Sequence, residues 1–157
     1  MRFDCATLRS ARKHIMKTIL FLCTGNSCRS QMAEAIVNAR YADEWQAFSA
    51  GTKPAGYVHP KAIQVLAEIG ITHSGKSKQI DELYTKDFDL VVTVCDSAAE
   101  ECPVWPGKAE RRVHHGFVDP AKAEGNDEEQ IQVFRQVRSE MLEVIPKILS
   151  GFVLSGA

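Results

Sequence analysis

One stretch near the start of the chain constrains the fold more than any other, because it joins three local patterns without a break. Residues 18–22, Thr-Ile-Leu-Phe-Leu, form an apolar run as long as one buried strand. Residues 24–27 are small and polar and include a glycine, which suits a tight loop. From Ser30 onward, apolar residues recur at helical spacing. The stretch therefore predicts a strand that ends at Cys23, a compact loop, and a helix that begins at Arg29.

A loop of this kind forms a cradle for an anion. Its backbone N–H groups converge, and the start of the following helix adds unpaired donors and a partial positive charge. The planar guanidinium of Arg29 can bind two oxygens of a tetrahedral oxyanion. Cys23 in this cradle is expected to be a thiolate, and hence a nucleophile poised for in-line attack on the anion. A buried structural cysteine is the alternative interpretation of Cys23 taken alone.

We name residues 23–29 the oxyanion loop and predict that they bind the substrate together with Ser30. The predicted substrate contacts come from Thr24, Gly25, Asn26, Ser27, Cys28, Arg29 and Ser30. Asn26 and Ser30 are also expected to brace the loop and to hydrogen-bond the Cys23 thiolate. Cys28 is interpreted as a packing residue.

Strand and helix patterns alternate along the rest of the chain, which predicts an α/β fold. Further strands are predicted at 45–49, 88–94 and 111–115, and further helices from Pro60, over 81–84, and from 126–127. Such alternation builds a parallel sheet covered by helices, so we predict a three-layer structure with a mostly four-stranded parallel sheet. Residues 50–51 are expected to form a turn, Pro146 to kink or fray the last helix, and Gly151 to end it.

The predicted topology brings two cysteines to one edge of the sheet. Cys23 ends the first predicted strand, and Cys95 follows the third. Ligand sites in parallel sheets lie beyond the carboxyl ends of the strands. Both sulfurs are therefore expected to open onto the same edge.

Composition narrows the class of protein. A chain of 157 residues with 45% hydrophobic and 25% charged residues is typical of one globular domain. The net charge of −1 gives no support for partnership with nucleic acid or a membrane surface. Residues 1–15 are basic and lack the apolar core of a signal peptide. We interpret them as a disordered or appended leader without catalytic function, and residues 16–157 as a single catalytic domain.

The chain has five cysteines, an odd number without a secretory signal, which favours a cytoplasmic location. Cys95 and Cys102 are separated by a small polar segment that can bring their sulfurs within disulfide reach. Alternatively, they are one buried strand-end cysteine and one incidental loop cysteine. His114 and His115 are expected to point to opposite faces of a strand, and no zinc-type spacing is present, so no metal is predicted.

Beyond these patterns, the sequence resembles known families. The spacing Cys23-x5-Arg29-Ser30 directly after the first strand resembles the low-molecular-weight tyrosine phosphatases. Three strings resemble thioredoxin-coupled arsenate reductases: residues 23–34, residues 89–95 with the later Cys102-Pro103, and residues 116–120. The resemblance extends from Met16 to about Leu149. It implies reduction of arsenate to arsenite on a phosphatase scaffold, with phosphate or sulfate as mimics of the oxyanion.

The resemblance also implies a role for each matching residue. Cys23 attacks arsenate held by the loop and Arg29, and Asp119 acts as the acid that protonates the departing oxygen. Cys95 then attacks Cys23 and arsenite leaves. Cys102 attacks Cys95, and thioredoxin reduces the resulting Cys95–Cys102 disulfide.

One position departs from the resembled family. Some of its members bind potassium beside the loop through an asparagine, a glutamate, a serine and an aspartate. Asn26, Glu34 and Ser49 match the first three, but Lys78 occupies the fourth position. We expect Lys78 to reach Glu34 and replace the ion, so that no cofactor is tightly bound. The alternative is that Lys78 is a solvated loop lysine.

Two other functions stay open at this point. A low-molecular-weight tyrosine phosphatase would use Cys23, Arg29 and Asp119, and we expect weak phosphatase activity in any case. Residues 121–125, however, are Ala-Lys-Ala-Glu-Gly and offer no aromatic ring for a phosphotyrosine. The third possibility is a non-catalytic module that binds oxyanions or senses redox state.

Overall fold

Four parallel strands and three α-helices make up the computed structural model, which describes residues 15–96 and 100–155, with only the backbone of 152–155. The strands are β1 (Lys17–Cys23), β2 (Trp45–Gly51), β3 (Phe88–Thr93) and β4 (Ala109–His114); the α-helices are α1 (Arg29–Arg40), α2 (Pro60–Ala67) and α3 (Asp127–Ser155); and two 3-10 helices span Ile80–Leu83 and Pro120–Lys122. The predicted fold class is confirmed. The predicted leader, apart from Ile15, lies outside the described residues.

The strand order β2-β1-β3-β4 places β1 at the centre of the sheet. Cys23 pairs with Gly51 of β2, and Leu22 pairs with Thr93 of β3. The carboxyl ends of the strands therefore share one edge, as predicted. Cys95 lies two residues beyond β3, and the backbone N–H of Val94 still donates to Leu22 O (2.9 Å), which keeps this segment beside β1.

Alternate residues of the central strands pack on opposite faces of the sheet. Ile19 and Phe21 join the larger apolar core, which also contains side chains from all three α-helices. Leu20 and Leu22 join a smaller core with Trp105 and residues of the 3-10 helix Ile80–Leu83. The two inner strands, β1 and β3, contribute side chains to both cores and are thus buried on two sides, as their near-continuous apolar sequences indicate. Among the described residues, no helix combines the length and the apolar character needed to cross a bilayer.

Two boundary predictions are wrong. The turn expected at residues 50–51 is the end of β2, because Gly51 pairs with Cys23 in the ladder. The helix α3 passes through Pro146 and continues beyond Gly151 to Ser155. The Gly151 carbonyl accepts a hydrogen bond from Arg111 Nη1 (3.0 Å), which ties this turn of the helix to β4.

The strand-end glycine gives a test of how tightly the sheet holds the oxyanion loop. A Cβ at Gly51 would lie 2.4 Å from Thr24 O and 3.0 Å from the backbone N of Asn26. We expect Gly51→Ala to lower the free energy of unfolding by about 1–3 kcal/mol, because the loop backbone must move. Gly151→Ala is the matched control, since nothing lies within 4 Å of a Cβ there, and it is expected to be neutral or stabilising. Urea denaturation measures both, and equal stabilities would contradict the expectation.

Candidate active site

The Cys23 sulfur lies at the centre of the oxyanion loop. It accepts a hydrogen bond from the backbone N–H of Asn26 (3.2 Å) and lies 2.8 Å from the Ser30 hydroxyl oxygen. The same hydroxyl oxygen accepts a hydrogen bond from Asn26 Nδ2 (2.8 Å). Because that oxygen is already an acceptor, the hydroxyl hydrogen is free to point at the sulfur. The structure thus places Asn26 and Ser30 directly against the nucleophile candidate.

Asn26 shapes the loop through its backbone and its side chain. Its φ of 46° lies in the left-handed region, which asparagine tolerates better than most residues. Its Oδ1 accepts from the backbone N–H of Lys78 (2.8 Å) and from Gln31 Nε2 (3.0 Å). Gln31, which is fully buried, also donates to Lys76 O (2.8 Å). Sequence reasoning missed Gln31, because its partners come from a distant loop that no local pattern connects to α1.

A cavity of about 40 Å³ opens at the loop, which suits one small anion rather than an extended substrate. It is lined by Cys23, Gly25, Asn26, Ser27, Cys28, Arg29, Asp119 and Ala121. Most of the predicted substrate-binding residues therefore line it. Thr24 and Ser30 do not: the Ser30 hydroxyl lies against the Cys23 sulfur, and Thr24 Oγ1 donates to Glu100 Oε2 (3.0 Å).

Arg29 carries the positive charge of the site in an almost fully buried position, with 3% of its surface exposed. Both terminal nitrogens contact the Glu100 carboxylate, and Nη2 lies 3.6 Å from Asp119 Oδ2. Nη1 also donates to Phe117 O (3.3 Å). Burial alone would lower the pKa of Arg29, but the hydrogen bond to Glu100 and the neighbouring negative charges hold it above the ordinary value. The guanidinium is therefore charged and already paired with carboxylates.

Glu100 is the residue of this site that sequence reasoning missed most clearly. Its Oε1 accepts from the backbone N–H of Asp96 (2.8 Å), in addition to the contacts with Arg29 and Thr24. Burial opposes ionisation, but the hydrogen bonds from Arg29, Asp96 and Thr24 bring the pKa of Glu100 down to about 2. Nothing in the sequence distinguishes Glu100 from the adjacent Glu101, because both lie in one polar segment.

Asp119 lies at the rim of the same cavity, where a general acid for a departing oxygen has to be. Its Oδ1 accepts from the backbone N–H of Ala121 (3.0 Å), which fixes the carboxylate at the start of the 3-10 helix Pro120–Lys122. Pro120 is buried, so this turn is anchored in the protein. The residue predicted as the acid and the residue predicted as the nucleophile thus line one cavity.

The four cysteines in the described part of the chain fall into two classes. Cys95 and Cys102 form a disulfide with a Cα–Cα distance of 5.7 Å, within the usual range, so the two sulfurs are within reach as predicted. Cys23 and Cys28 are free and buried. Burial raises the pKa of Cys28 to about 12, which makes it a poor nucleophile. Cys5 and the residues 97–99 between the paired cysteines lie outside the described part of the chain.

The residues that match the potassium ligands form a buried cluster beside the loop. Glu34 is 8% exposed and Ser49 is fully buried. Lys78 Nζ lies 3.9 Å from Glu34 Oε1, and His73 Nε2 lies 3.9 Å from Glu34 Oε2. Burial raises the pKa of Glu34, and the Lys78 ammonium partly offsets that effect. The structure therefore places the lysine charge within ion-pair distance of Glu34.

Comparison with known proteins agrees with this geometry. Residues 18–150 match the family described as low molecular weight phosphotyrosine protein phosphatase. The chain belongs to that family, which confirms the resemblance seen in the sequence.

Within the family, the chain is similar to arsenate reductases. The arsenate reductase of Halalkalibacterium halodurans is 53% identical over 126 residues, which cover 80% of this chain and 89% of that protein. The crystal structure of arsenate reductase from Archaeoglobus fulgidus has a TM-score of 0.67 at 35% identity and covers 84% of this chain and 98% of that chain. An arsenate reductase solved in its phosphate-binding state has a TM-score of 0.69 at 30% identity and covers 87% and 99%.

The pairing of Arg29 with Glu100 leads to a prediction about anion binding. In the disulfide form, an oxyanion has to compete with the Glu100 carboxylate for the guanidinium. We expect Glu100→Gln to bind inorganic phosphate about tenfold or more tightly, since a hydrogen bond to a charged group contributes about 1.5–3 kcal/mol. Titration calorimetry on the disulfide form measures this affinity.

Glu101→Gln is the matched control for this prediction, because Glu101 is the exposed neighbour of Glu100 and carries the same charge. It is expected to bind phosphate as the parent protein does. If both glutamine variants bind phosphate with the parent affinity, Glu100 does not compete for Arg29.

Proposed function

We propose that this protein reduces arsenate to arsenite through a relay of three cysteines and that thioredoxin reduces the final disulfide. The observation that carries the proposal is a free Cys23 in an oxyanion loop together with a Cys95–Cys102 disulfide in one small domain. A phosphatase needs the loop but not the redox pair. The similarity to arsenate reductases supports the same reaction.

In the first step, the oxyanion loop and Arg29 hold arsenate while the Cys23 thiolate attacks arsenic. Backbone N–H groups and the guanidinium stabilise the charge that develops on the arsenate oxygens. Asp119 gives a proton to the departing oxygen, which leaves as water. The product is an adduct in which Cys23 sulfur is bonded to As(V).

In the second step, the Cys95 thiolate attacks the Cys23 sulfur. The sulfur–arsenic bond breaks and its electron pair goes to arsenic, so that As(V) becomes As(III) and arsenite leaves. The two cysteines are oxidised to a Cys23–Cys95 disulfide, which balances the two electrons. The adjacent positions of β1 and β3 in the sheet support this exchange, because the two cysteines follow neighbouring strands.

In the third step, Cys102 attacks Cys95, frees Cys23 and forms the Cys95–Cys102 disulfide. Two features favour its reduction by an external dithiol such as thioredoxin. Cys102 is only partly buried, and Val104 beside it is 80% exposed, which offers an apolar surface for a docked protein. Reduction by thiol–disulfide exchange returns both thiols and the starting enzyme.

Hydrolysis of phosphate esters is the second candidate function, because the chain belongs to a phosphatase family and Asp119 lines the cavity that holds Cys23 and Arg29. Ala121 lines this cavity next to Asp119, and the described residues that line it include no aromatic ring to pack on a tyrosine. We therefore propose only weak activity on small aryl phosphates. Cys23, Arg29 and Asp119 suffice for hydrolysis, but the residues that line the cavity offer few contacts to the rest of the substrate.

Cysteine variants separate the two reactions. We expect Cys95→Ser and Cys102→Ser to lose multiple-turnover arsenate reduction, because the relay cannot be completed, and to keep hydrolysis of a small aryl phosphate. NADPH consumption coupled through thioredoxin and its reductase measures the first activity, and release of the aryl alcohol measures the second. Cys23→Ser is the control that is expected to lose both, since a hydroxyl is not ionised near neutral pH. Arsenate reduction at the parent rate in both redox-pair variants would exclude the relay.

We further propose that the ammonium of Lys78 replaces a potassium ion as the positive charge beside Glu34. Its charge lies 3.9 Å from Glu34, and its backbone N–H holds Asn26, which shapes the oxyanion loop. A cation at this place would meet the lysine charge at close range, so the residues present do not fit a bound potassium ion.

The matching experiment compares the arsenate KM in sodium and potassium salts at equal ionic strength. The parent protein is expected to show the same KM in both, whereas Lys78→Asp is expected to be activated by potassium because it restores a carboxylate ligand. Lys76→Asp is the control, since it makes the same charge change at an exposed position two residues away. Clear potassium activation of the parent protein would disprove the proposal.

A further inference from the structure

The described residues contain one cluster of soft metal ligands outside the oxyanion loop. The sulfurs of Cys95 and Cys102 and a ring nitrogen of His114 all lie within 4.8 Å of one another. The cluster forms because β3 and β4 are parallel neighbours, so the segments that follow them meet at one edge of the sheet. Sequence spacing brings Cys95 and Cys102 together but gives no sign of His114, which comes from a separate strand.

The two adjacent histidines point in different directions, as the strand pattern predicted. His115 lies toward α3, with its Nε2 3.7 Å from Glu140 Oε1. His114 instead lies toward the cysteines, and its Nδ1 is 2.7 Å from Thr93 Oγ1. The absence of a metal therefore stays a prediction, and it rested on the two histidines pointing apart, whereas His114 alone lies beside Cys95 and Cys102.

The hydrogen bond to Thr93 prepares His114 to act as a ligand. The Thr93 hydroxyl oxygen can accept a hydrogen bond from Nδ1–H, and in that tautomer Nε2 offers its lone pair. Nε2 lies 3.4 Å from the position of a Cβ on Gly116, and Cys95 O lies 2.9 Å from the same position, so this ring nitrogen is in the neighbourhood of the Cys95 backbone. Metal-bound histidines usually have a hydrogen-bond partner on the other ring nitrogen, as Thr93 is for Nδ1 here, and that partner fixes the orientation of the ring.

The spacing of the donors suits a tetrahedral metal once the disulfide is reduced. Zinc binds thiolate sulfur at about 2.3 Å and imidazole nitrogen at about 2.0–2.1 Å, so neighbouring donors lie about 3.3–3.8 Å apart. The 5.7 Å between the Cα atoms of Cys95 and Cys102 allows this separation without movement of the backbone. Reduction replaces the sulfur–sulfur bond with two thiols, which lose their protons on binding the metal.

The surroundings leave a fourth position open and favour a thiophilic metal. His114 is exposed, Cys102 is partly exposed, and a cavity of about 300 Å³ adjoins His114 and Val104. Two thiolates and one imidazole are a donor set that selects zinc over magnesium or calcium.

We propose that the reduced Cys95–Cys102 pair and His114 bind one zinc ion, and that the disulfide form does not. Zinc binding rests on the reducible disulfide of the proposed function but on no step of arsenate chemistry, whereas its effect on turnover rests on the proposed relay. A zinc ion on these thiolates keeps them from attacking Cys23, so it holds the reduced enzyme out of turnover until the metal is removed. The site therefore makes the redox pair sensitive to free zinc.

Anaerobic titration of the reduced protein with Co²⁺, followed by displacement with Zn²⁺, tests the site directly. Cys23→Ser is used as the background, so that the nucleophile cannot contribute a ligand. One equivalent of Co²⁺ is expected to give the thiolate charge-transfer and d–d bands of a tetrahedral site, and the disulfide form is expected to give neither. A chromophoric chelator in competition measures the zinc affinity.

Single variants in that background assign the ligands. His114→Ala is expected to weaken zinc binding at least tenfold, and Cys102→Ser is expected to remove the charge-transfer band or reduce it strongly. His115→Ala is the matched control and is expected to bind as the background does. Equal binding by the disulfide form, or an unchanged affinity in His114→Ala, would overturn the proposal.

A second measurement separates this proposal from the proposed function. Zinc is expected to inhibit arsenate reduction by the parent protein, a chelator is expected to restore it, and His114→Ala is expected to need more zinc for the same inhibition. If the protein reduces no arsenate, the proposed function fails while the Co²⁺ spectra still decide the metal site. If arsenate is reduced but no metal binds, only the metal site fails.

Discussion

The buried positive charge of Arg29 is the constraint on which the rest of the site depends. A guanidinium cannot be deprotonated in a protein, so at 3% exposure it has to be balanced by anionic partners. The structure supplies Glu100 and Asp119, and the proposed reaction supplies the oxyanion and the Cys23 thiolate. The Glu100 and Asp119 carboxylates offset the charge that burial of the guanidinium leaves unsolvated. The same charge therefore organises the cavity, the acid, and the segment that carries the redox cysteines.

The parallel sheet then decides which reactive groups can meet. Neighbouring parallel strands end at one edge, so Cys23, Cys95 and His114 are brought together by the order of β1, β3 and β4 rather than by their spacing in sequence. The hydrogen bond from Val94 to Leu22 extends the contact between two strands to the point where the cysteines begin. The strand order thus sets which residues lie close together at this edge of the sheet.

The sequence was sufficient for features that depend on local patterns. The apolar run before Cys23 and the helical spacing after Arg29 predicted the oxyanion loop, because both periods are visible within about ten residues. Glu100, Gln31 and His114 could not be found in this way, since each acts through a partner more than twenty residues distant or through a neighbouring strand. Gly51 was misjudged for a related reason: glycine is typical of turns, and only the close approach of Thr24 O explains why it stands at the end of a strand.

The contact between Glu100 and Arg29 has a further thermodynamic consequence. An oxyanion and the segment from Cys95 to Cys102 are alternative partners of one charge, so their binding equilibria are linked, and the linkage acts in both directions. An anion that takes Arg29 weakens the hold on this segment, and a protein that docks on the segment and draws Glu100 away leaves Arg29 in need of an anion. Anion binding in the oxyanion loop and the accessibility of the Cys95–Cys102 pair are thereby coupled, although the two sites share no ligand.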